Sequence, residues 1–410
     1  MSAASLPSSL MSWLSRGARW LWPFYLLGVF GAWTALVLRA ARLQQGHVSS
    51  DWLLDYRFGF IRRGLPGEFV WFLNDVLGVA AVYGVAVLQI AAVGLLLAGI
   101  WRLSRRVSVP LAGWFLAYSP ATLMFSLFGL TEPGRKEVLL FALFVVLAQW
   151  LLSWRDRMRQ RENMAWVLAL LAGALTTLMM LSHELTFFYL PWLAWLFWLG
   201  FPAGSVLKRA SLLAAVFIGP VLAFAALLVW GGSLERQAFC SSFMDAGLSA
   251  SICQGVVTFP IDDLHGSLSN TRAIVGQFAY VQTYALGVVL ALLPILLAGM
   301  AERVPCSFKA AAGVLGCVLW SLPLFAVAVD WGRFIQIHLV LGLVLWLFAA
   351  HRGQILTPPS GNQHQPSWHW GWSGLMLLGV LSLSVWNLPV CCEHGVGNGV
   401  IGHVLSFMTG

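Results

Sequence analysis

Asp51 and Asp55 stand four residues apart at the head of a segment running to Leu65 that is dense in charge, aromatic rings and glycine. Arg57, Arg62 and Arg63 follow Asp55 within nine residues. A carboxylate can take the proton of an acceptor hydroxyl, and guanidinium groups can stabilise a departing phosphate, so one short stretch carries both halves of a group-transfer reaction. On a helix, the spacing of the two acids would put them on one face, which would suit a divalent cation such as Mg or Mn held by oxygen ligands. The alternative is that these residues are headgroup-level anchors, as Trp, Tyr and Arg commonly are, although anchoring leaves Asp51 and Asp55 without a purpose.

Other segments carry similar residues. Arg135 and Lys136 precede Glu137 at the start of an apolar run. Side-chain charge added to the free N–H groups of a helix start makes a phosphate site, whereas pairing with Glu132 and Glu137 would make a solvated turn. His183 and Glu184 are the polar interruption of an otherwise apolar stretch, 165–200. Held at or below the headgroups, the carboxylate would have a raised pKa and the imidazole could share a proton or fix an orientation; the bland reading is a helix-capping pair. Metalloprotease chemistry is excluded there, because Phe187 stands where the second histidine of HExxH must be. Asp330-Trp331-Gly332-Arg333 again sets an acid beside a base, either paired with each other or with Arg333 turned to a phosphate.

The elements that must position these groups are transmembrane helices. The chain has 410 residues, 59% hydrophobic and only 10% charged, with a mean hydropathy of +0.80. That composition excludes a separate soluble catalytic domain. The bases are scattered through short connections rather than stacked on one stripe, which argues against nucleic acid despite the net charge of +8. Eleven apolar runs are long enough to cross a bilayer, centred on 21–38, 79–100, 110–129, 137–152, 165–182, 185–200, 211–230, 284–300, 311–329, 334–350 and 372–390. The first reads as a retained anchor, being too long for a signal-peptide core. Residues 165–200 would form a helix of about 54 Å against a core of about 30 Å, so two spans divided at His183-Glu184 fit better than one.

With that division and the N-terminus inside, fourteen Lys/Arg fall on inner segments and ten on outer ones, while thirteen of sixteen acids fall outside. Without it the basic residues split evenly and the bias vanishes. The expected architecture is a single all-α, polytopic transmembrane bundle over 1–410, N-in and C-out. Its first outer loop, 39–78, carries a short interfacial helix beginning near Pro66. A large outer loop, 231–283, holds Asp245, Asp262, Asp263, His265 and Arg272 and suits a substrate cover or a passive loop. An inner linker, 351–371, holds His364 and His369 without metal-site patterning. Four of six cysteines fall outside, on the side where disulfides persist. Cys240 and Cys253 are a candidate bridge, with unpaired apolar thiols as the alternative. No cysteine spacing argues for zinc, and no phosphate-binding glycine loop or serine-nucleophile motif is present.

In outline, over the whole chain, this arrangement resembles the GT-C superfamily of integral membrane glycosyltransferases: many spans, an inside N-terminus, an acid and an interfacial helix in the first outer loop, and basic residues in later outer loops. The resemblance implies transfer of a sugar from a polyprenyl-linked donor to a glycan, lipid or protein acceptor at the outer face of a bacterial inner membrane. It implies Asp55 or Asp51 as catalytic base or metal ligand. This chain departs from the family's frequent adjacent acids in that loop. On that reading Arg57, Arg62, Arg63, Arg135, Lys136 and Arg333 bind phosphate, and His183 and Glu184 serve substrate or proton. An O-antigen-type polysaccharide polymerase or ligase, which joins two diphosphate-linked glycans, is the alternative enzyme. A transporter or flippase is the competing class, and it would place polar residues at midplane and at an inner gate.

Overall fold

The computed structural model describes residues 8–128, 134–202, 205–232, 235–254, 264–301, 308–353, 384–400 and 402. Among them the chain is almost wholly helical: α1 (Ser8–Arg42), α2 (Gly46–Leu53), α3 (Leu65–Leu77), α4 (Ala81–Ser104), α5 (Leu111–Tyr118), α6 (Phe125–Phe128), α7 (Glu137–Ser153), α8 (Arg155–Gln160), α9 (Glu162–Ser182), α10 (Leu190–Gly200), α11 (Val206–Trp230), α12 (Arg236–Asp245), α13 (Leu264–Gln277), α14 (Tyr280–Ala301), α15 (Phe308–Val327) and α16 (Trp331–His351). Two 3-10 turns, Glu184–Tyr189 and Ala250–Cys253, join them. The tail adds a small antiparallel hairpin of β1 (Trp386–Asn387) and β2 (Gly397–Asn398), with Trp386 opposite Asn398.

Seven described helices are long and apolar enough to cross a membrane, and α7 is a shorter apolar one. This is a multi-pass, all-α membrane chain in outline: in hydrocarbon the backbone must satisfy its own hydrogen bonds, and a helix does so within one segment. Lipid-like exposure follows the same logic. Helices α11 and α15 present Leu207, Leu222, Leu228, Phe308, Leu315 and Leu319 to the outside, whereas α4, α7 and α16 bury most of their length around Val145, Leu147, Val344 and Phe348. Where helices approach closely, small residues allow it; Gly173 of α9 faces the Ala215 and Val216 backbone of α11.

Two sequence features decide the helix ends. Helix α9 stops at Ser182, and His183 takes an extended conformation, φ −159° and ψ 108°, before the 3-10 turn and α10, which opens on Pro191. The apolar stretch 165–200 is thus two helices. The run expected at 110–129 is divided as well, into α5 and α6. Ser119 precedes Pro120, sits at ψ 134° and closes α5, as the clash with a following proline ring requires.

Contacts sort the molecule into two ends. At one, Trp22 Nε1 donates to Ser104 Oγ at 2.8 Å, Tyr118 Oη to the Ala18 carbonyl at 2.7 Å, and His351 Nε2 to the Leu103 carbonyl at 2.8 Å. The opposite end gathers α2, α3, the starts of α4, α7, α14 and α16, and the ends of α9 and α11. Asp51, Asp55, Arg63, Lys136, His183, Glu184 and Arg333 lie there. Loop 231–283 contributes α12, the second 3-10 turn and α13, and a Cys240–Cys253 disulfide with Cα atoms 5.5 Å apart. Thr131, Glu132, Asp262, Asp263, Cys306, most of the linker 351–371 with His364 and His369, and residues 372–383 of the last apolar run lie outside the described residues.

Candidate functional site

The first loop is fastened before it offers any chemistry. Helix α2 ends at Leu53, and Leu54 is extended, so Asp51 is helical and Asp55 is not. The shared face that a common cation would need therefore does not form. Asp55 turns back on its own loop: its Oδ1 accepts from the Arg57 N–H at 3.0 Å, and its Oδ2 meets Arg57 Nε at 2.7 Å. The Arg57 guanidinium lies 4.5 Å from the Trp71 ring centroid on α3. Trp71 Nε1 donates to the Leu53 carbonyl at 3.0 Å, and Glu68 accepts from the Tyr56 N–H at 2.8 Å. Asp55 and Arg57 are thus the clasp between this loop and α3. Burial raises the Asp55 pKa against the lowering effect of Arg57.

Asp51 points the other way. Its Oδ1 lies 3.6 Å from both Arg63 Nη1 and Lys136 Nζ. Arg63 has a left-handed backbone, φ 67°, a conformation that a bulky residue keeps only where its surroundings hold it. Here Lys136 Nζ donates to the Arg63 carbonyl at 2.8 Å, and the Arg63 side chain forks onto both oxygens of Glu184, with contacts of 2.6 to 3.0 Å. Lys136 is itself positioned by Gly134, whose carbonyl accepts from Trp52 Nε1 at 2.8 Å and from Gln89 Nε2 at 2.6 Å. Gly134 has φ +85°, and a side chain there would run into Gln89, so glycine is required on both counts.

The network continues across the bundle. His183 Nδ1 is 3.5 Å from Glu184 Oε2, and its Nε2 is 3.5 Å from Glu137 Oε1. Glu137 Oε1 also meets Arg333 Nη1 at 3.0 Å, and Arg333 closes onto Asp330. Lys136, Asp51, Arg63, Glu184, His183, Glu137, Arg333 and Asp330 therefore form one unbroken chain of alternating charge drawn from four separate stretches of sequence. Lys136 is 0% exposed, and Asp51, Glu137 and His183 are each 3% exposed.

Such burial is tolerable only because every charge has an opposite neighbour. Burial by itself would raise the pKa of Asp51, but Lys136, Arg63, His183 and Arg135 together hold it below the ordinary value. Glu184 is driven well below the carboxylate range in the same way, by Arg63 and His183 acting against burial. Burial pushes Lys136 down to about 8 even with Asp51 beside it. His183 is lowered by burial and by Arg63, yet its contacts with Glu137 and Glu184 win and raise it.

At the Glu137–Arg333 end the network borders a small cleft lined by Phe125, Ser126, Arg135, Glu137, Val138, Phe141, Arg333, Gln336 and Val390, with room for about one water molecule. Gln336 is fixed by donating to the Thr122 carbonyl at 3.1 Å and to Ser126 Oγ at 3.3 Å. Two arginines and a glutamate share the lining with aromatic and aliphatic residues. The lining therefore combines groups that bind an anion with groups that bind an apolar chain, beside a carboxylate.

Of the residues singled out from sequence, Asp51, Arg63, Lys136, His183, Glu184 and Arg333 are brought together in the network, and Arg135 lines the cleft. Asp55 and Arg57 pair with each other outside it, and Arg62 stands half-buried beside Arg63 and takes no part in the described ion pairs. Sequence reasoning missed Ser126 and Gln336; it named Asp330 as a partner of Arg333, which it is, and Glu137 only as a partner of Arg135 and Lys136, whereas it pairs with Arg333. Glu137 reads in sequence as an acid near a helix start, and nothing local distinguishes that from ordinary helix-end pairing. As for a cation, Asp51 is engaged by Arg63 and Lys136 and Asp55 by Arg57, and among the described residues no group of three His, Cys, Asp or Glu is arranged to hold a metal. The site residues do not fit one. Comparison with protein-family models, curated proteins and solved structures finds no match to this chain.

Proposed function

We propose that the chain is a multi-pass membrane glycosyltransferase that moves a sugar from a polyprenyl-linked donor to a glycan, lipid or protein acceptor at the outer face of a bacterial inner membrane. In this reading the chain crosses eleven times, N-in and C-out, and α3 lies in the outer interface. Arg135 and Arg333 take the donor phosphate, and Phe125, Val138, Phe141 and Val390 receive the first part of the lipid. Glu137 accepts the proton of the incoming hydroxyl as the bond from sugar to phosphate oxygen breaks, and His183 bridges Glu137 to Glu184. Asp51, Arg63 and Lys136 act behind the cleft, holding Glu184 and His183 in place.

The observation that carries this reading is the composition of the cleft: Glu137, Arg135 and Arg333 share its lining with apolar side chains, and Arg333 pairs with Glu137 there. A developing phosphate charge is best stabilised by cations already fixed in place, and here Arg333 is held by Glu137 and Asp330. The first-loop acids keep a structural part in the proposal, because each already has a basic partner.

The test is transfer by purified protein in lipid nanodiscs, with radiolabelled sugar on a polyprenyl monophosphate and, separately, glycan on a polyprenyl diphosphate. Glu137→Gln is expected to lower turnover by roughly a hundredfold or more. Turnover with the diphosphate-linked donor alone would move the assignment to a polymerase or ligase. If neither donor class binds or reacts, while vesicles containing the protein move a lipid-linked glycan between leaflets, the enzyme reading gives way to transport.

A further inference from the structure

The C-terminal tail contains a feature that the transfer reading does not use. Cys391 and Cys392 are adjacent and joined by a disulfide, with Cα atoms 3.8 Å apart. They sit in the turn of the β1–β2 hairpin, next to a residue that lines the cleft. Val390, the neighbouring residue, is part of the cleft lining. The Pro389 carbonyl rests against Gly332 at the start of α16, so closely that any side chain at 332 would collide with it. Arg333 is the next residue.

The tip is held by contacts concentrated on the cysteines and their neighbours. The Tyr280 hydroxyl accepts from the Cys392 N–H at 2.7 Å, and its oxygen lies 3.6 Å from Cys392 Sγ as a donor. Tyr284 donates to the Val390 carbonyl at 3.2 Å, and the Gly395 N–H donates to Thr283 Oγ1 at 3.0 Å. Tyr280 and Tyr284 pack in turn against Trp331, with ring centroids 5.3 and 5.7 Å away. Cys392 has a left-handed backbone, φ 61°. A non-glycine residue stays there only under constraint, and two constraints are visible: the bond to Cys391 and the hydrogen bond to Tyr280. Both cysteines are partly exposed, so a soluble thiol can reach the bridge.

We propose that the tail hairpin, residues 386–398, is a redox-sensitive strap, held against the cleft lining and Gly332 when Cys391 and Cys392 are joined and released when a dithiol reduces them. One thiolate of the dithiol attacks a tail sulfur and forms a mixed disulfide, and its second thiolate displaces that bond. The tail gains two electrons and two protons as a pair of thiols, and the dithiol leaves as a cyclic disulfide. Once the bridge is gone, Cys392 relaxes out of the left-handed region and its N–H leaves Tyr280. Val390 and Pro389 then withdraw from the cleft and from Gly332. The inference rests on the cleft's geometry and not on which reaction occurs there.

Hydrogen–deuterium exchange on the full chain in nanodiscs tests it without any activity assay. Treatment with dithiothreitol is expected to speed uptake roughly tenfold in peptides covering 385–398 and 330–336, leaving 162–182 unchanged, as local opening does. Cys391→Ser/Cys392→Ser should exchange at the fast rate with or without dithiothreitol. Tyr280→Phe, which keeps the bridge and removes its anchor, should show partial release before reduction. Cys240→Ser/Cys253→Ser should retain the full response. The strap is refuted if intact-mass measurement finds Cys391 and Cys392 as thiols in protein never exposed to reductant. It is equally refuted if uptake at 385–398 stays the same after both are reduced and alkylated, or if the response disappears in the Cys240/Cys253 variant.

Discussion

At the residue scale, the strongest single interaction is the fork of Arg63 onto Glu184, and the consequence of losing it is asymmetric. Arg63→Ala leaves the part-buried Glu184 without its forked cation and the buried Asp51 with Lys136 alone, and breaking such a pair costs up to about 3–5 kcal/mol, the upper figure holding for full burial. A large fall in melting temperature in nanodiscs is therefore expected. Arg63→Lys should recover only part of it, because an ammonium cannot engage both oxygens in one plane. His183 provides a test with a sign. Its pKa in the folded chain is raised above the ordinary 6.5, so its stabilising contribution is complete below pH 6.5 and is lost as pH climbs through the raised value. The melting-temperature gap between wild type and His183→Gln should thus be widest below pH 6.5 and shrink as pH rises above it. Lys136, lowered to about 8, favours the folded state as pH rises from 8 towards its ordinary 10.5, but it is present in both proteins and cancels in the gap. A gap that widens with pH would show that His183 is stabilised as the neutral imidazole. At this scale the residue types were legible in the sequence, and His183-Glu184 and Arg333 were noticed because charge is rare in so apolar a chain. Glu137 was read only as a local partner of Arg135 and Lys136, since an acid at a helix start is commonplace.

At the scale of elements, the chain's punctuation worked where it acted locally. Pro66 at the first turn of α3, Pro191 at the start of α10 and Ser119-Pro120 at the end of α5 all act through their own backbone; the start near Pro66 is read from the sequence, whereas 110–129 is expected as one run and the structure divides it. Close approach is another matter. Gly67 on α3 sits against the Leu54 carbonyl with no room for a Cβ, which is what lets α3 lie under the Asp55–Arg57 clasp. Gly67→Ala is expected to force α3 off that carbonyl and to cost about 1–3 kcal/mol, read as a lowered melting temperature. Gly78→Ala is the contrasting control: nothing lies near it, but its φ of +65° is strained for any side chain, so its cost should be about 1 kcal/mol and purely local. Equal effects would mean that the α3 contact contributes nothing beyond backbone conformation.

At the scale of the whole molecule, orientation is open to a direct measurement. Asp75→Cys at the end that carries the network and Arg157→Cys at the other are both exposed positions. A membrane-impermeant maleimide should modify Asp75→Cys in intact cells and Arg157→Cys only after permeabilisation; the reverse pattern would invert the proposed topology, and equal labelling would remove the separation of the two ends. Composition and period were enough to determine that this is a helical membrane chain, because lipid leaves a backbone few other ways to satisfy its polar groups. The division at His183 followed from length, since one helix of that extent overshoots the bilayer. Which charges meet was decided only by the tertiary structure. Asp51 and Asp55 look equivalent along the chain, yet the end of α2 at Leu53 turns one toward Lys136 and Arg63 and the other back onto Arg57. Glu137 and Arg333 lie nearly two hundred residues apart and meet because α7 and α16 start at the same end of the bundle. Local sequence sets backbone conformation and burial preference, but the pairing of buried charges depends on helix packing that no local pattern encodes.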